Sequence, residues 1–233
     1  MTSLLHLDSS HSNDSVSRHL TGLFARAWRQ LHGYGDYRYR DVAAEQVPMI
    51  TSAYCSFAQR VQSHGALPLA AVAALAGTPS ERREWSRTVP LVREVLEADT
   101  LLLGVPMYNL TVPPSLKAWI DRITFPGVFT NPETGSPLLR GKQVVVAAAR
   151  GGGYGPGAPK EAFDFQTPYL RAYFEGMGVR EEDVHIIHAE LTRAADVPEL
   201  ARFQDLAKRS RAQAESRMAE LPERLNRREA TAR

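Results

Sequence analysis

Sulfur, long apolar runs and charge of one sign are what this chain has least of. Cys55 is its only cysteine, which excludes an intrachain disulfide framework and any cysteine-built metal site within one chain. No stretch approaches the roughly eighteen to twenty apolar residues of a membrane-crossing helix, so no membrane span is expected. The opening residues pass into a strand-like LLHL at 4–7 without the basic, apolar and small-residue succession of a signal peptide. A cytoplasmic setting is the expectation. The 28 basic and 26 acidic residues leave a net charge of only +2, too little to draw nucleic acid as a partner. Histidines and acids are scattered without metal-ligand spacing, and no side chain stands out as a general acid or base. What remains is an ordinary globular composition and 233 residues, enough to bury a single core without staples.

The most informative stretch is 101–121, LLLGVPMYNLTVPPSLKAWID. Leu101, Leu102, Leu103 and Val105 form an unbroken apolar run, the pattern of a strand covered on both faces in a parallel sheet. Pro106, Met107, Tyr108 and Asn109 stop it. Pro113 and Pro114 then open a helix whose apolar positions Leu116, Trp119, Ile120 and Ile123 recur at spacings of three and four. Further strands are expected at 4–7, 37–42, 142–149 and 184–189. Helices are expected from about Val16, over 51–63, and over 78–99, where Thr78, Pro79 and Glu81 form a capping box and Pro90 should bend the helix. Another should be capped by Thr167 with Pro168 at its first position and end at Gly178. A last one should open at Asp196, Pro198 and Glu199 and pack through Leu200, Phe203, Leu206 and Ala207. One domain over 1–221 follows, with an arginine-rich tail at 222–233 expected to be solvated or disordered.

Alternating strands and helices without repeats or linkers predict an α/β fold, a doubly wound, five-stranded parallel sheet of flavodoxin-like order 2-1-3-4-5. In that order a ligand should touch the loops after strands one, three and four. Those loops are DSSHSNDSVSR, PMYNLTVPP and ARGGGYGPGAP, the three unusual stretches of the sequence. The first has five serines from Ser9 to Ser17 running into a helix N-terminus, a set of neutral donors suited to a monophosphate. It lacks the lysine and glycine spacing of a nucleotide P-loop, and Asp14 should point outward. The second offers Met107 and Tyr108 for apolar contact with a flat ring and Asn109 for its polar edge. In the third, Gly151, Gly152 and Gly153 allow close backbone approach, and Arg150 could add positive charge. Phe125 and Phe129, in the loop after the central helix, and Tyr154 are candidates for stacking on a flat substrate. His6, His185 and His188 read as sheet residues, and His11 lies near the serine loop.

PMYN before a helix containing SLK, ARGG after a strand, and DSS with SVSR after the first strand together resemble the FMN-dependent, NAD(P)H-using azoreductase and quinone reductase family over about residues 3–210. The resemblance implies bound FMN held by Ser9 or Ser10, by Ser15, Val16 and Ser17, by Pro106, Met107, Tyr108, Asn109 and Leu110, and by Ala149, Arg150, Gly151 and Gly152. It implies NADH or NADPH as co-substrate, a quinone or azo compound as acceptor, a ping-pong cycle, and a homodimer with its active site at the interface. Leu110 stands where the family often has phenylalanine and Ala149 where it often has serine, and the serine loop is one residue short. Two other functions stay open: a specialised biosynthetic reductase acting on one tailored aromatic substrate, and an electron carrier between protein partners.

Overall fold

The computed structural model describes residues 2–231. Five parallel strands, β1 (Leu4–Asp8), β2 (Tyr37–Asp41), β3 (Thr100–Pro106), β4 (Gln143–Ala149) and β5 (Val184–Ala189), form one sheet in the order β2-β1-β3-β4-β5. The predicted fold class and strand order are both observed. Register places Asp8 beside Gly104 and Pro106 beside Ala149, so the loops that follow β1, β3 and β4 leave the same edge of three neighbouring strands.

Helices cover both faces, which is why β3 is buried at every position and carries no polar alternation. On one face α1 (Val16–His32) and α7 (Gln204–Thr231) meet the sheet through Leu20, Phe24, Trp28, Met218 and Leu221. On the other lie α2 (Ser52–Gln62), the short α3 (Leu69–Ala74), α4 (Pro79–Glu97), α5 (Pro114–Ile123) and α6 (Gln166–Gly176). The Thr78 capping box of α4 is present as expected, and the helix runs unbroken through Pro90. A fully buried guanidinium, Arg122, ties α5 to α4 by a 2.8 Å ion pair with Glu84 and binds the carbonyls of Pro48 and Met49. The segment before α2 is thereby fixed from a distance.

Two helix starts differ from expectation. α6 begins at Gln166, and Asp164 rather than Thr167 caps it, accepting the amides of Gln166 and Thr167 at 3.0 Å each. The Thr167 hydroxyl is taken up by Arg150 and His188 instead. The final helix is preceded by a 3-10 turn, Pro198–Phe203, and Leu206 is exposed. Its buried stripe is Ala214, Met218, Leu221 and Leu225, spaced four, three and four apart, so it docks on α1 further along the chain than the capping pattern suggested. A tail solvated from residue 222 is likewise not what is found: α7 continues to Thr231 with Leu225 buried, and residues 232–233 lie outside the described residues.

Gly104 is where the sheet meets the serine loop. A Cβ there would stand 2.1 Å from Asp8 Oδ1, a buried carboxylate that accepts hydrogen bonds from Thr21 at 2.9 Å and Tyr39 at 3.1 Å. Overpacking of this kind costs about 1–3 kcal/mol. We expect Gly104→Ala to lower the unfolding free energy by at least that much in urea titrations, whereas Gly135→Ala, at an open turn of positive φ, should cost about 1 kcal/mol.

Candidate functional site

The loop after β1 is built from hydroxyls with unequal freedom. Ser9 is spent on the sheet: its amide and its hydroxyl both donate to the Gly104 carbonyl, at 3.1 and 2.7 Å. Ser10 is buried, but its hydroxyl only accepts, from the Ser12 amide at 3.2 Å, so its proton remains available. Ser15 caps α1 by accepting the Arg18 amide at 3.2 Å, and its Oγ lies 3.0 Å from that of Ser17. The amides of Val16 and Ser17 head the helix and have no acceptor within it. Asp14 is exposed, as an anion site requires. These groups together offer hydroxyls and free amides, with no carboxylate among them, at the positive end of a helix dipole.

Arg18 is the residue here that sequence reasoning missed. Its guanidinium donates to the Ser10 carbonyl at 2.6 Å and to the Tyr39 hydroxyl at 3.0 Å, and pairs with Asp41 at 2.7 Å. It thus fastens the serine loop to the end of β2. The hydrogen bond it donates to Asp41 raises the guanidinium pKa further above its ordinary value, against the opposing effect of burial. Arg18 stood in the quoted SVSR stretch, but its partner Asp41 is 23 residues further on, and only the β1–β2 register brings the two together.

After β3 the chain makes a tight reversal. Tyr108 and Thr111 exchange amide-to-carbonyl hydrogen bonds at 3.0 and 3.2 Å, and Asn109 and Leu110 between them have φ of +46° and +75°, the signs of a type I′ turn. Asparagine suits the first of these positions. Leucine does not suit the second, where left-handed backbone costs about 1–2 kcal/mol. The turn leaves Met107 and Tyr108 half-buried and Asn109 exposed, and it joins both neighbouring loops. The His11 amide donates to the Tyr108 hydroxyl at 3.1 Å, with the two rings stacked at 6.4 Å, and the Met107 amide donates to the Ala149 carbonyl at 2.8 Å. The three loops converge.

Arg150 behaves differently from the expected cation beside a ring. Its side chain is buried, paired with Asp164 at 2.8 Å and Glu190 at 3.1 Å, and donates to Gln166 at 3.2 Å and to Thr167. Two carboxylates and a packed interior leave no charge to project into the crevice. Its work is internal: Glu190 also accepts the Tyr154 amide at 3.1 Å, and Gln166 donates onward to the Val105 carbonyl at 3.2 Å. The glycine loop is further pinned by the Leu191 amide on the Gly152 carbonyl at 3.0 Å. Gly151, Gly152 and Gly153 serve for closeness and not for left-handed backbone, since none has positive φ. At Gly152 a Cβ would lie 3.2 Å from the half-buried Tyr154 ring.

Phe125 and Phe129, the candidates for stacking on a flat substrate, are not exposed at the crevice. Both are in the core, and Phe125 completes an aromatic cluster with Tyr54, Phe57 and Trp85 at 5.1–5.3 Å between ring centroids. Burial of that much ring area outweighs exposure at a pocket. The exposed aromatics near the crevice are instead Phe163 and Phe165, the latter donating its amide to the Leu110 carbonyl at 3.2 Å. They lie just before the α6 start that the sequence reading displaced. Among the described residues, no group of histidines, cysteines and acids could hold a metal ion, and no helix is long and apolar enough to cross a membrane.

A doubly wound sheet whose hydroxyl-rich helix N-terminus and aromatic turn meet beside its β1/β3 switch point is the arrangement in which open α/β proteins bind ligands. The model of the family described as flavodoxin-like fold matches residues 2–213, and the chain belongs to that family. It is 42% identical over 201 residues to an FMN-dependent NADH:quinone oxidoreductase of Nocardia farcinica, covering 86% of this chain and 88% of that protein. A protein of the same description from Frankia casuarinae is 39% identical over 215 residues, covering 92% and 95%. Among solved structures, azoreductase AzrA superposes with a TM-score of 0.76 at 20% identity, over 95% of this chain and 99% of that one. An FMN-dependent NADH-azoreductase from Bacillus anthracis in complex with FMN gives 0.71 at 22% identity, over 95% and 100%.

Two outcomes are expected from the buried network. Arg150→Met strands Asp164 and Glu190, and breaking a buried pair typically costs about 3–5 kcal/mol, readable as a lower urea midpoint. His188, whose Nε2 meets the Thr167 hydroxyl at 3.0 Å, has its pKa pushed down to about 4 by burial and then by Arg150. It folds neutral while the unfolded chain takes up a proton below about 6.5, so stability should fall as pH drops from about 6.5 towards 4. The loss should reach roughly 2–3 kcal/mol and shrink in His188→Gln, measured by urea unfolding across that range.

Proposed function

We propose that this chain is an FMN-dependent oxidoreductase that draws electrons from NADH or NADPH and reduces quinones or azo compounds. One observation carries the reading: the serine turn, the β3 turn and the glycine loop meet in one crevice, through the His11–Tyr108 and Met107–Ala149 hydrogen bonds. The donor set fits a phosphate monoester, and the turn beside it fits a flat ring. The names of the relatives above support the same cofactor and acceptor class.

In this reading Ser10, Ser15 and Ser17 and the amides of Val16 and Ser17 hold the phosphate. Ser9 supports the loop from beneath. Pro106, Met107, Tyr108, Asn109 and Leu110 line the ring, and the backbone from Ala149 to Gly152 faces its polar edge, with Arg150 acting through its main chain and through the loop it steadies. FMN, when bound, supplies the two-electron exchange between the nicotinamide and the acceptor. The protein's own part is to orient the ring, to keep one face open, and to place fixed amide donors where negative charge develops. No acid or base is required of a side chain. The exposed Phe163 and Phe165 beside the Leu110 turn form an apolar rim suited to a second copy of the chain, so a homodimer with its active site at the interface fits, as does a ping-pong cycle through one shared pocket. An electron carrier would be steered by an acidic face, which a net charge of +2 does not favour.

The deciding experiment is the visible spectrum of the purified protein before and after anaerobic NADH and NADPH, followed by turnover with a simple benzoquinone. A flavin spectrum that bleaches in one two-electron step and returns on adding quinone is the expected result. A colourless protein that takes up no added FMN would end the reading. Within it, Ser10→Ala should weaken FMN binding about five- to tenfold, the worth of one hydrogen bond, while Ser9→Ala should change it less than twofold. Fluorescence titration with FMN measures both.

A further inference from the structure

The sheet ends at β5, and its outer edge borders a cavity of about 390 Å³, apart from the crevice and made of other residues. Val184 and Ile186 of the edge strand line it, Arg217 and Arg224 of α7 stand on one side, and Arg171 of α6 stands on the other. Since α6 and α7 cover opposite faces of the sheet, the cavity straddles the edge and receives cations from both directions.

These three arginines differ from their neighbours. Arg211 and Arg227, also on α7, pair with Glu215 and Glu223 one turn away at 2.9 and 3.1 Å. Among the described residues, none of Arg171, Arg217 and Arg224 makes an ion pair or a hydrogen bond. The only carboxylate lining the cavity, Glu182, is engaged by Arg180 at 3.2 Å. Arg217 and Arg224 are seven residues apart and so share a helix face. Three like charges around one cavity, with Glu182 the one acid lining it among the described residues, repel one another, and that cost is offset by an anion that bridges them. Their charge also reaches a common point inside the protein: burial and Arg150 depress the proton affinity of His188 most, and Arg217 and Arg171 both add to the effect.

Charged side chains at a sheet edge can serve simply to stop another strand from adding. A guard needs bulk and charge on the exposed strand, whereas here the cations come from the two flanking helices and enclose a volume of ligand size. We propose that this edge cavity is a binding site for a small organic polyanion with two or more carboxylate or phosphate groups, gripped between Arg171 and the Arg217–Arg224 pair. Guanidinium groups suit both kinds of anion, because their forked donors match carboxylate and phosphate oxygens alike.

The test is isothermal titration of the protein, kept in excess FMN to fill the crevice, with inorganic pyrophosphate in one series and citrate in another at constant ionic strength. Binding of either at submillimolar concentration is expected, with at least a tenfold loss in Arg217→Glu and in Arg224→Glu and no loss in Arg202→Glu outside the cavity. All three positions are exposed, so unchanged thermal melting should accompany each variant. Pyrophosphate binding alone would assign a phosphate ligand and citrate binding alone a carboxylate. No heat with either, or equal affinity in all variants, would overturn the proposal and leave the arginines as guards of the edge.

Discussion

A buried guanidinium holds the candidate site together. Arg150 directly follows β4 with its donors spread over Asp164, Glu190, Gln166 and Thr167, three of them at the start of α6 and the fourth just after β5. Asp164 caps α6, Glu190 follows β5 and accepts the Tyr154 amide, and Gln166 reaches the Val105 carbonyl in β3. A cation stripped of water must be met on all sides or it destabilises the fold, so the position of any one partner constrains the rest. Burial alone would raise the Asp164 carboxyl, yet the Thr167 amide and hydroxyl and the Arg150 charge hold it below the usual carboxylate range. Asp164 thus stays ionised beside the cation, and the glycine loop becomes the rim of a network beneath it.

The other end of the crevice repeats this arrangement with different atoms. Asp8 takes the role of the buried charge, satisfied by Thr21 and Tyr39, with Arg18 leaning towards it from 3.9 Å while it grips Asp41 and the Ser10 carbonyl. Charges are paired below the loops, and the surfaces that face the crevice are left with hydroxyls and amides. That division decides what can bind. An ion-paired floor with neutral donors above it attracts an anion through hydrogen bonds and helix dipole, interactions that salt screens less than it screens exposed charges.

The sheet and its order were legible because their signals are local and redundant: β3 and β4 are continuous apolar runs, and each turn chemistry agreed with the strand it ended. The serine, MYN and glycine stretches were legible as a site because one topology nominated all three. What stayed hidden depends on pairing across long separations. Nothing near Arg150 in the sequence announces that Asp164 and Glu190 will neutralise it, so its charge was assigned to the crevice. Phe125 follows a Pro/Gly-rich loop pattern that reads as surface, but Tyr54, Phe57 and Trp85 arrive from α2 and α4 to bury it. The last helix misled for a related reason: arginines suggested a solvated tail, while the sparse stripe of Ala214, Met218, Leu221 and Leu225 was enough to dock it.

The two walls of the crevice are built to different standards. On the cofactor side every loop is tied down, and the Leu110 backbone is held at φ +75° by the bonds between Tyr108 and Thr111 and by the Phe165 amide, strain that persists only where surroundings over-determine it. On the other side Phe163 and Phe165 stand more than half exposed, at 51% and 54%, with the one-turn helix Glu161–Phe163 supplying little packing of its own. A fixed ring and an apolar rim that awaits cover impose few directional demands on an acceptor. In the proposed reading, a flat, electron-poor molecule that fits the gap and meets the ring would satisfy them, and breadth of acceptor would follow from where the hydrogen bonds are spent.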